Sequence, residues 1–454
     1  MASTYLERTV SSASNRRTWT WSAWVKLGAL SGNQSFFTAR SDNANYSTIR
    51  IEPDRFHIFD LVSGGFNHQV KTNRRLRDPN AWYHLVVAFD TTQSTASDRI
   101  KMYVNGEQET SLAESSYPAE NYEGFINRNR DHYIGQGGNL GDRFDGCMSH
   151  INFVDGTALT PSSFGETDST TGEWKIKTSP SVTYGTEGFF ILKDGNSVTD
   201  QSGNSNNWTV GGGTLTNTED CPSNVFCTMN PLDFGNSGGT SIAVAEKGNT
   251  YITSSSSNAW RGIHGTLGIK TGKYYYEVKI SASDGDTGYL VGWCDFSYNT
   301  DDDPNNGSPN AKMYGRQSLT LYHDTGKTDN FFSSTSSGDI LMVAFDMDNG
   351  KLWFGKNGTW QNSGGSGGDT TTYSSTTLNT SYPDVTGITV SNNTGFYTPS
   401  CQIYNDGYAE FNFGNGYFGT TAVSSAGTNA SGIGIFEYDV PTGYTALSTK
   451  GLNE

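Results

Sequence analysis

The chain has 454 residues and a formal net charge of −16, from 46 acidic and 30 basic side chains. That balance excludes nucleic acid and an anionic lipid surface as natural partners, because both repel an acidic protein. No run approaches the roughly 20 apolar residues that cross a bilayer, and Met1 to Val10 lacks the apolar stretch of a secretory signal, so no membrane insertion and synthesis in the cytoplasm are expected.

The length exceeds the roughly 250–300 residues that one hydrophobic core organises, so two domains are expected. Glycine outnumbers proline 54 to 12, aromatic residues make up 13%, and helical periodicity is nearly absent, a profile of short strands and tight turns. With only 17% charged residues, the surface is polar through hydroxyls and amides, as is common on extracellular and virion proteins. The five cysteines (Cys147, Cys221, Cys227, Cys294 and Cys401) are odd in number and contain no CxxC pair, which argues against a zinc knuckle or a full disulfide framework. Cys221 and Cys227 are spaced to close a small loop, but a chain made in the cytoplasm is normally reduced.

In chain order, the first strand signal is Thr18 to Lys26. There Trp19, Trp21, Ala23 and Val25 alternate with Thr20, Ser22 and Trp24, and tryptophan on both faces implies cover on both. Strands are predicted at Ser35–Ala39, Ser47–Ile51, Arg55–Asp60 and Asn67–Val70, at the spacing of an antiparallel sandwich. The basic stretch Lys71, Arg74, Arg75 and Arg77 reads as a solvated loop before the next strand. Trp82–Asp90 is a central strand, Arg99–Val104 with Asn105-Gly106 is a hairpin, and Phe144–Val154 closes the set. The pattern weakens over Ser162–Thr178, then strands are predicted at Gly188–Lys193 and Asn207–Val210 around a turn-rich Asp200–Asn206. The first domain is therefore expected over residues 1–213. A linker follows over 214–240, packed because Phe226, Met229 and Leu232 need burial.

The second domain, 241–454, carries strand signals at Lys273–Ile280, Tyr289–Asp295, Ser318–Tyr322, Ile340–Asp346, Lys351–Lys356, Gly395–Tyr404 and Ala409–Phe413. Asp348-Asn349-Gly350 and Asn357-Gly358 are its tight turns, and Gly364–Thr377 is a low-complexity loop. No helix is predicted, and no internal repeat supports a propeller or solenoid.

Trp19–Lys26 (WTWSAWVK), Trp82–Asp90 (WYHLVVAFD), Lys101–Glu107 (KMYVNGE) and Phe144–Leu159 (FDGCMSHINFVDGTAL) resemble a laminin-G or concanavalin-A-like lectin/glucanase domain. Gly272–Ile280 (GKYYYEVKI), Val291–Tyr298 (VGWCDFSY), Gly338–Trp360 (GDILMVAFDMDNGKLWFGKNGTW) and Tyr408–Gly414 (YAEFNFG) resemble a SPRY domain, a protein-interaction sandwich. The expected fold class is therefore all-β, with two antiparallel β-sandwich, jelly-roll-like domains in series. With Asp220–Leu232 (DCPSNVFCTMNPL) and Pro441–Leu447 (PTGYTAL), the combination resembles tail or virion structural proteins of tailed phages. That resemblance implies a virion component, a fibre, tip or decoration, that binds a host-surface glycan or receptor. A structural adaptor that binds other virion proteins is the alternative. A homo-oligomer stays open, although no heptad repeat supports a coiled-coil trimer.

Hydrolysis of glycans needs two carboxylates across a cleft, about 5–9.5 Å apart. Glu277 stands alone between Tyr276 and Val278, and Asp346 and Asp348 belong to a turn, so no enzyme is expected. The seven histidines, among them His84, His150, His264 and His323, show no motif pairing them with a serine elbow or a reactive cysteine. His84, inside an apolar strand, reads as a satisfied histidine. Calcium is the one cofactor the lectin resemblance admits, with Asp301, Asp302 and Asp303 as candidate carboxylates. Among loop aromatics, Tyr46, Tyr122 and Tyr298 are candidate sugar platforms. The SPRY resemblance points instead to Tyr298, Tyr314, Arg316 and Tyr322 between matched strands as the ligand-binding group, since Tyr and Arg are enriched at hot spots.

Overall fold

The computed structural model describes residues 4–193, 195, 197–233, 243–254, 260–281, 288–295, 311–315, 320–323, 326–328, 335–349, 351–360, 396–405 and 407–453; for 243–246, 311–315, 320–323 and 326–328 it describes the strand backbone only. The chain divides into two compact units, Met1–Asn217 and Thr218–Glu454. Both are antiparallel sandwiches, and among the described residues the only helical elements are short 3-10 turns.

In the first unit the Thr18–Leu27 strand alternates as its sequence requires. Trp19, Trp21, Ala23, Val25 and Leu27 enter the core, where Trp19 stacks on Phe89 at 4.7 Å between ring centres. This strand lies inside a six-stranded sheet ordered Phe189–Ile191, Gly146–Asp155, Thr18–Leu27, Trp82–Asp90, Ile100–Val104 and Glu107–Gln108. The edge strands of that sheet are only three and two residues long. Asn105 and Gly106 carry φ of +49° and +86°, the left-handed pair that a two-residue hairpin demands. The facing eight-stranded sheet runs Leu112–Ser116, Gly65–Arg75, Arg55–Val62, Asn45–Ile51, Gln34–Asp42, Asp131–Ile134, Tyr5–Thr9 and Thr209–Gly212. Ile49, Ile51, Phe56, Ile58 and Val70 are its core side.

The expected loop at Lys71–Arg77 is instead mostly strand, because Gly65–Arg75 extends through it. Its cations are paired: Lys71 with Glu52, Arg74 with Glu107 and Glu109, and Arg75 and Arg77 with the buried Asp54. The short Gly165–Thr167 and Trp174–Ile176 pair occupies the region where the sequence pattern faded.

The second unit stacks a six-stranded sheet, Trp260–His264, Tyr397–Tyr404, Gly288–Asp295, Ala311–Gly315, Thr320–His323 and Gly326–Thr328, on a larger one. The larger sheet is centred on Tyr408–Asn412, Lys273–Ile280, Ile340–Asp346 and Lys351–Lys356, and its last strand, Thr359–Trp360, has two residues. Thr445–Ala446 joins Lys273–Ile280 in parallel. The expected linker does not stand apart. Phe226 and Met229 are buried within this unit, whereas Leu232 is 55% exposed rather than buried. Cys221 and Cys227 form no bridge, and all five cysteines are free thiols.

Outside the larger sheet, Phe436, Val440 and Tyr444 from the C-terminal segment cover Tyr275, Met342, Ala344, Trp353 and Trp360. Glu277 sits beneath this cover, fully buried. Its carboxyl accepts hydrogen bonds from Tyr275 Oη (2.9 Å), Asn412 Nδ2 (3.3 Å) and the backbone N–H of Glu437 and Tyr438 (2.8 Å each). It is therefore a structural acceptor that fastens the cover. Burial pushes its carboxyl up to about 7, and the four donors hold it from going higher.

The folded unit thus binds an extra proton between the ordinary carboxyl value and about 7, so this contribution to stability is full below that window and lost as pH rises through it. Urea unfolding of the second unit should show a loss of about 3 kcal/mol across the window, on the rule that one pKa unit equals 1.36 kcal/mol. Glu277→Gln should flatten that slope, and equal slopes in both proteins would count against the assignment.

Candidate functional site

Pairing in the eight-stranded sheet of the first unit fixes what its outer face presents. One row across the strands holds Tyr133, Thr38, Thr48, Phe59 and Gln69, and the next holds Asp131, Arg40, Tyr46, Leu61 and Phe66. On the other side run Arg50, His57, Lys71 and Glu114. Aromatic rings and charged side chains thus share this face.

Their contacts are specific. The Arg50 guanidinium lies 4.5 Å above the centre of the Phe59 ring, a cation–π arrangement. Phe66 meets the same ring edge-on at 5.1 Å, and Tyr46 does so at 5.7 Å. Arg50 pairs with Glu52 and, at 3.4 Å, with Asp142, while Lys71 Nζ reaches Glu52 at 3.6 Å. His57 Nδ1–H donates to Glu52 at 2.7 Å. The His57 hydrogen bond, with Arg50 assisting, holds Glu52 far below the usual carboxylate range, and burial lowers His57. Glu52 is thus a fixed anion and His57 a neutral ring at physiological pH.

Residues 135–144 cross part of the face. Arg40 Nε donates to the Gly138 carbonyl at 2.7 Å, and Gly138 lies flat on Tyr46. Beside this crossing Phe66 is 53% exposed and rests against a rigid, ion-paired floor. Gln69 and Lys71 follow Phe66 on its own strand, Glu114 is opposite Lys71, and Arg40 lies three strands away in the row of Phe66. An exposed ring on a face that also carries donors and acceptors is the arrangement a binding surface requires, and Glu52 there is held ionised.

Of the residues expected to form a site, Tyr298, Arg316, Asp301, Asp302 and Asp303 lie outside the described residues. Tyr314 is in the Ala311–Gly315 strand, not a loop, and Tyr322 is in Thr320–His323. The register sets Tyr314 opposite Leu321 and Tyr322 opposite Met313, so positions 314 and 322 belong to opposite faces of that pair. Tyr46 is a buried strand residue, and Tyr122, half-buried, donates its hydroxyl to Asp60 at 3.1 Å; neither is an open platform. His84 is stacked with Trp24 and Trp174, accepts from Trp174 Nε1–H at 3.0 Å and bonds Ser22 at 2.9 Å. Burial lowers it to about 3. Arg50, Glu52, His57, Phe59 and Phe66 were missed as site residues. Their signal was the alternation of His57, Phe59 and Leu61 with Phe56, Ile58 and Asp60, which marks a second occupied face.

Two sandwiches, the first with an aromatic, ion-paired sheet face, define a pair of binding-type modules. Residues 2–163 match the family model of the concanavalin A-like lectin/glucanases superfamily, and residues 273–385 match that of the SPRY domain. The chain thus carries one domain of each kind, in that order. No curated protein matches it. Among solved structures, it is similar to the SPRY domain of human HERC1, with 18% identity over 40% of this chain and 96% of that one, at a TM-score of 0.28. Domain 4 of AbnA, an extracellular arabinanase from Geobacillus stearothermophilus, shows 20% identity over 33% and 65% of the two chains, with a TM-score of 0.25. A heptameric SAP-like pentraxin from Limulus polyphemus shows 17% over 35% and 71%, with a TM-score of 0.26.

A Cβ at Gly138 would stand 2.1 Å from the Tyr46 ring, whereas one at Gly141 would meet nothing nearer than 3.3 Å. Gly138→Ala should therefore cost on the order of 1–3 kcal/mol in urea unfolding of the first unit, and Gly141→Ala well under 1.

Proposed function

We propose that the chain is a non-enzymatic binding protein of a phage particle, exposed on tail or capsid, whose first unit takes a host-surface glycan on the outer face around Phe66. The observation that carries this reading is the Phe66–Phe59–Arg50 stack, in which an exposed ring is held by a buried one beneath a guanidinium. Holding that ring in place removes ordering cost from binding, and the flanking polar rows give the hydroxyl-bonding groups that a sugar requires. Arg50 and Lys71 are already balanced by Glu52 and Asp142, which supports a neutral ligand over an anionic one. The phage setting is supported by the resemblance of the two-domain chain, with its Asp220–Leu232 and Pro441–Leu447 segments, to tailed-phage structural proteins.

The purified chain should bind a subset of an array of neutral glycans saturably. Phe66→Ala should weaken that binding about tenfold, equivalent to about 1.4 kcal/mol, without changing the unfolding midpoint. EDTA sensitivity would add calcium and direct attention to Asp301–Asp303. No glycan binding at about micromolar concentration, together with saturable binding to other particle proteins, would overturn the reading in favour of a structural adaptor.

A further inference from the structure

The row of Arg50, His57 and Lys71 in the first unit holds two nitrogens that the fold itself leaves unmet. Glu52 is ionised, so its carboxylate only accepts, and the His57 proton stands at Nδ1 on the 2.7 Å bond between them. A neutral ring with its proton at Nδ1 has a bare lone pair at Nε2. That atom is buried without a hydrogen-bond partner, in a side chain 1% exposed. Arg50 spends Nη2 on Glu52 and Nη1 on Asp142, at 3.4 Å, and its Nε–H is likewise buried without a partner.

The two nitrogens belong to neighbouring side chains. Arg50 and His57 are opposite each other in the ladder, both bond Glu52 Oε2, and both pack on the Phe59 ring, at 4.5 Å and 4.9 Å from its centre. A buried donor or acceptor with no partner costs free energy that folding does not return, so an orphan donor beside an orphan acceptor needs an account. The surface is one side chain away. Phe66, half of it in water, stands 6.4 Å from the His57 ring, and the Glu52 and Lys71 side chains on the same histidine are partly exposed.

We propose that His57 Nε2 and Arg50 Nε–H are the polar contacts of the ligand, reached when the Phe66 side chain turns aside, and that they select a neutral sugar with adjacent free hydroxyls. This rests on the glycan reading of the Phe66 face and names the chemistry it reads. One hydroxyl donates to His57 Nε2, a neighbouring oxygen accepts from Arg50 Nε–H, and the C–H side of the sugar lies on the Phe66 ring. A carboxylate has no proton for Nε2, so acidic sugars are refused. The charged groups facing the imidazole are Glu52, in the turn after Asn45–Ile51, and Arg50 and Lys71 on the flanking strands; Asp142 pairs Arg50, and Glu114 is opposite Lys71. Burial, helped by Arg50 and Lys71 and opposed by Glu52, lowers His57, so the acceptor persists at neutral pH and is lost when the ring protonates in acid.

The full chain is read on an array of neutral glycans at about pH 8, about pH 6.5 and about pH 5. Binding should be level between the first two and weaken below them, by up to about tenfold per pH unit. His57→Gln, which sets an amide oxygen where Nε2 was, should bind without that slope, and His57→Phe should bind about five- to tenfold more weakly at about pH 8. Nitrogen NMR of the histidines in the native chain at about pH 7 gives a readout independent of any variant's folding, and should show His57 protonated at Nδ1 and bare at Nε2. Equal binding at about pH 8 and about pH 5, the same slope in His57→Gln, or a proton at Nε2 overturns this inference and leaves binding at Phe66 in place. No glycan bound at any pH overturns the glycan reading and this inference together.

Discussion

The first unit depends on a strand that is out of water on both faces. From Trp19 to Leu27 every residue is buried, so the unit needs a core beneath that strand and a cover above it. The core is the facing eight-stranded sheet. On the outer side Trp174 packs against His84 and donates to it, and an imidazole kept neutral by burial can lie between two indoles without an unmet charge. With the outside of the six-stranded sheet committed in this way, the exposed ring of the unit, Phe66, emerges on the outside of the other sheet.

The second unit meets a similar requirement with a carboxylate. Glu277 turns four donors, two of them backbone groups of the C-terminal segment, toward one buried point, so a stretch of irregular chain is fixed over Tyr275, Trp353 and Trp360. A buried acceptor costs several kcal/mol unless its bonds are made, and here the bonds are the attachment. In both units, then, one sheet face is covered by a segment from outside that sheet that hydrogen-bonds a single polar residue of a central strand.

Strands with strict alternation or long apolar runs were legible in the sequence: Trp82–Asp90, Lys273–Ile280, Ile340–Asp346 and Lys351–Lys356 have the bounds their residues announce. Tyr5–Thr9 and Asp131–Ile134 were not, because each has few apolar residues and is held by partners far away in sequence. Lys71–Arg75 looked like a loop because charge was counted without its partners; once Glu52, Asp54, Glu107 and Glu109 are placed, the cations fit a strand. The Phe66 face was hidden for a related reason. Its aromatics come from several strands, and only the register shows that Tyr46, Phe59 and Phe66 share a side. Asp233 and His264 are likewise separated in the chain and hydrogen-bonded in the fold.

The short outer strands bear on how the protein behaves in numbers. The six-stranded sheet of the first unit ends in strands of three and two residues, and the larger sheet of the second ends on one side in a strand of two. An edge this brief offers a neighbouring copy almost no unpaired backbone to extend, so ladders between molecules cannot propagate from it. At these edges a chain that is 13% aromatic is blunted against strand addition, whereas the five-residue edges Leu112–Ser116 and Trp260–His264 leave more backbone to pair.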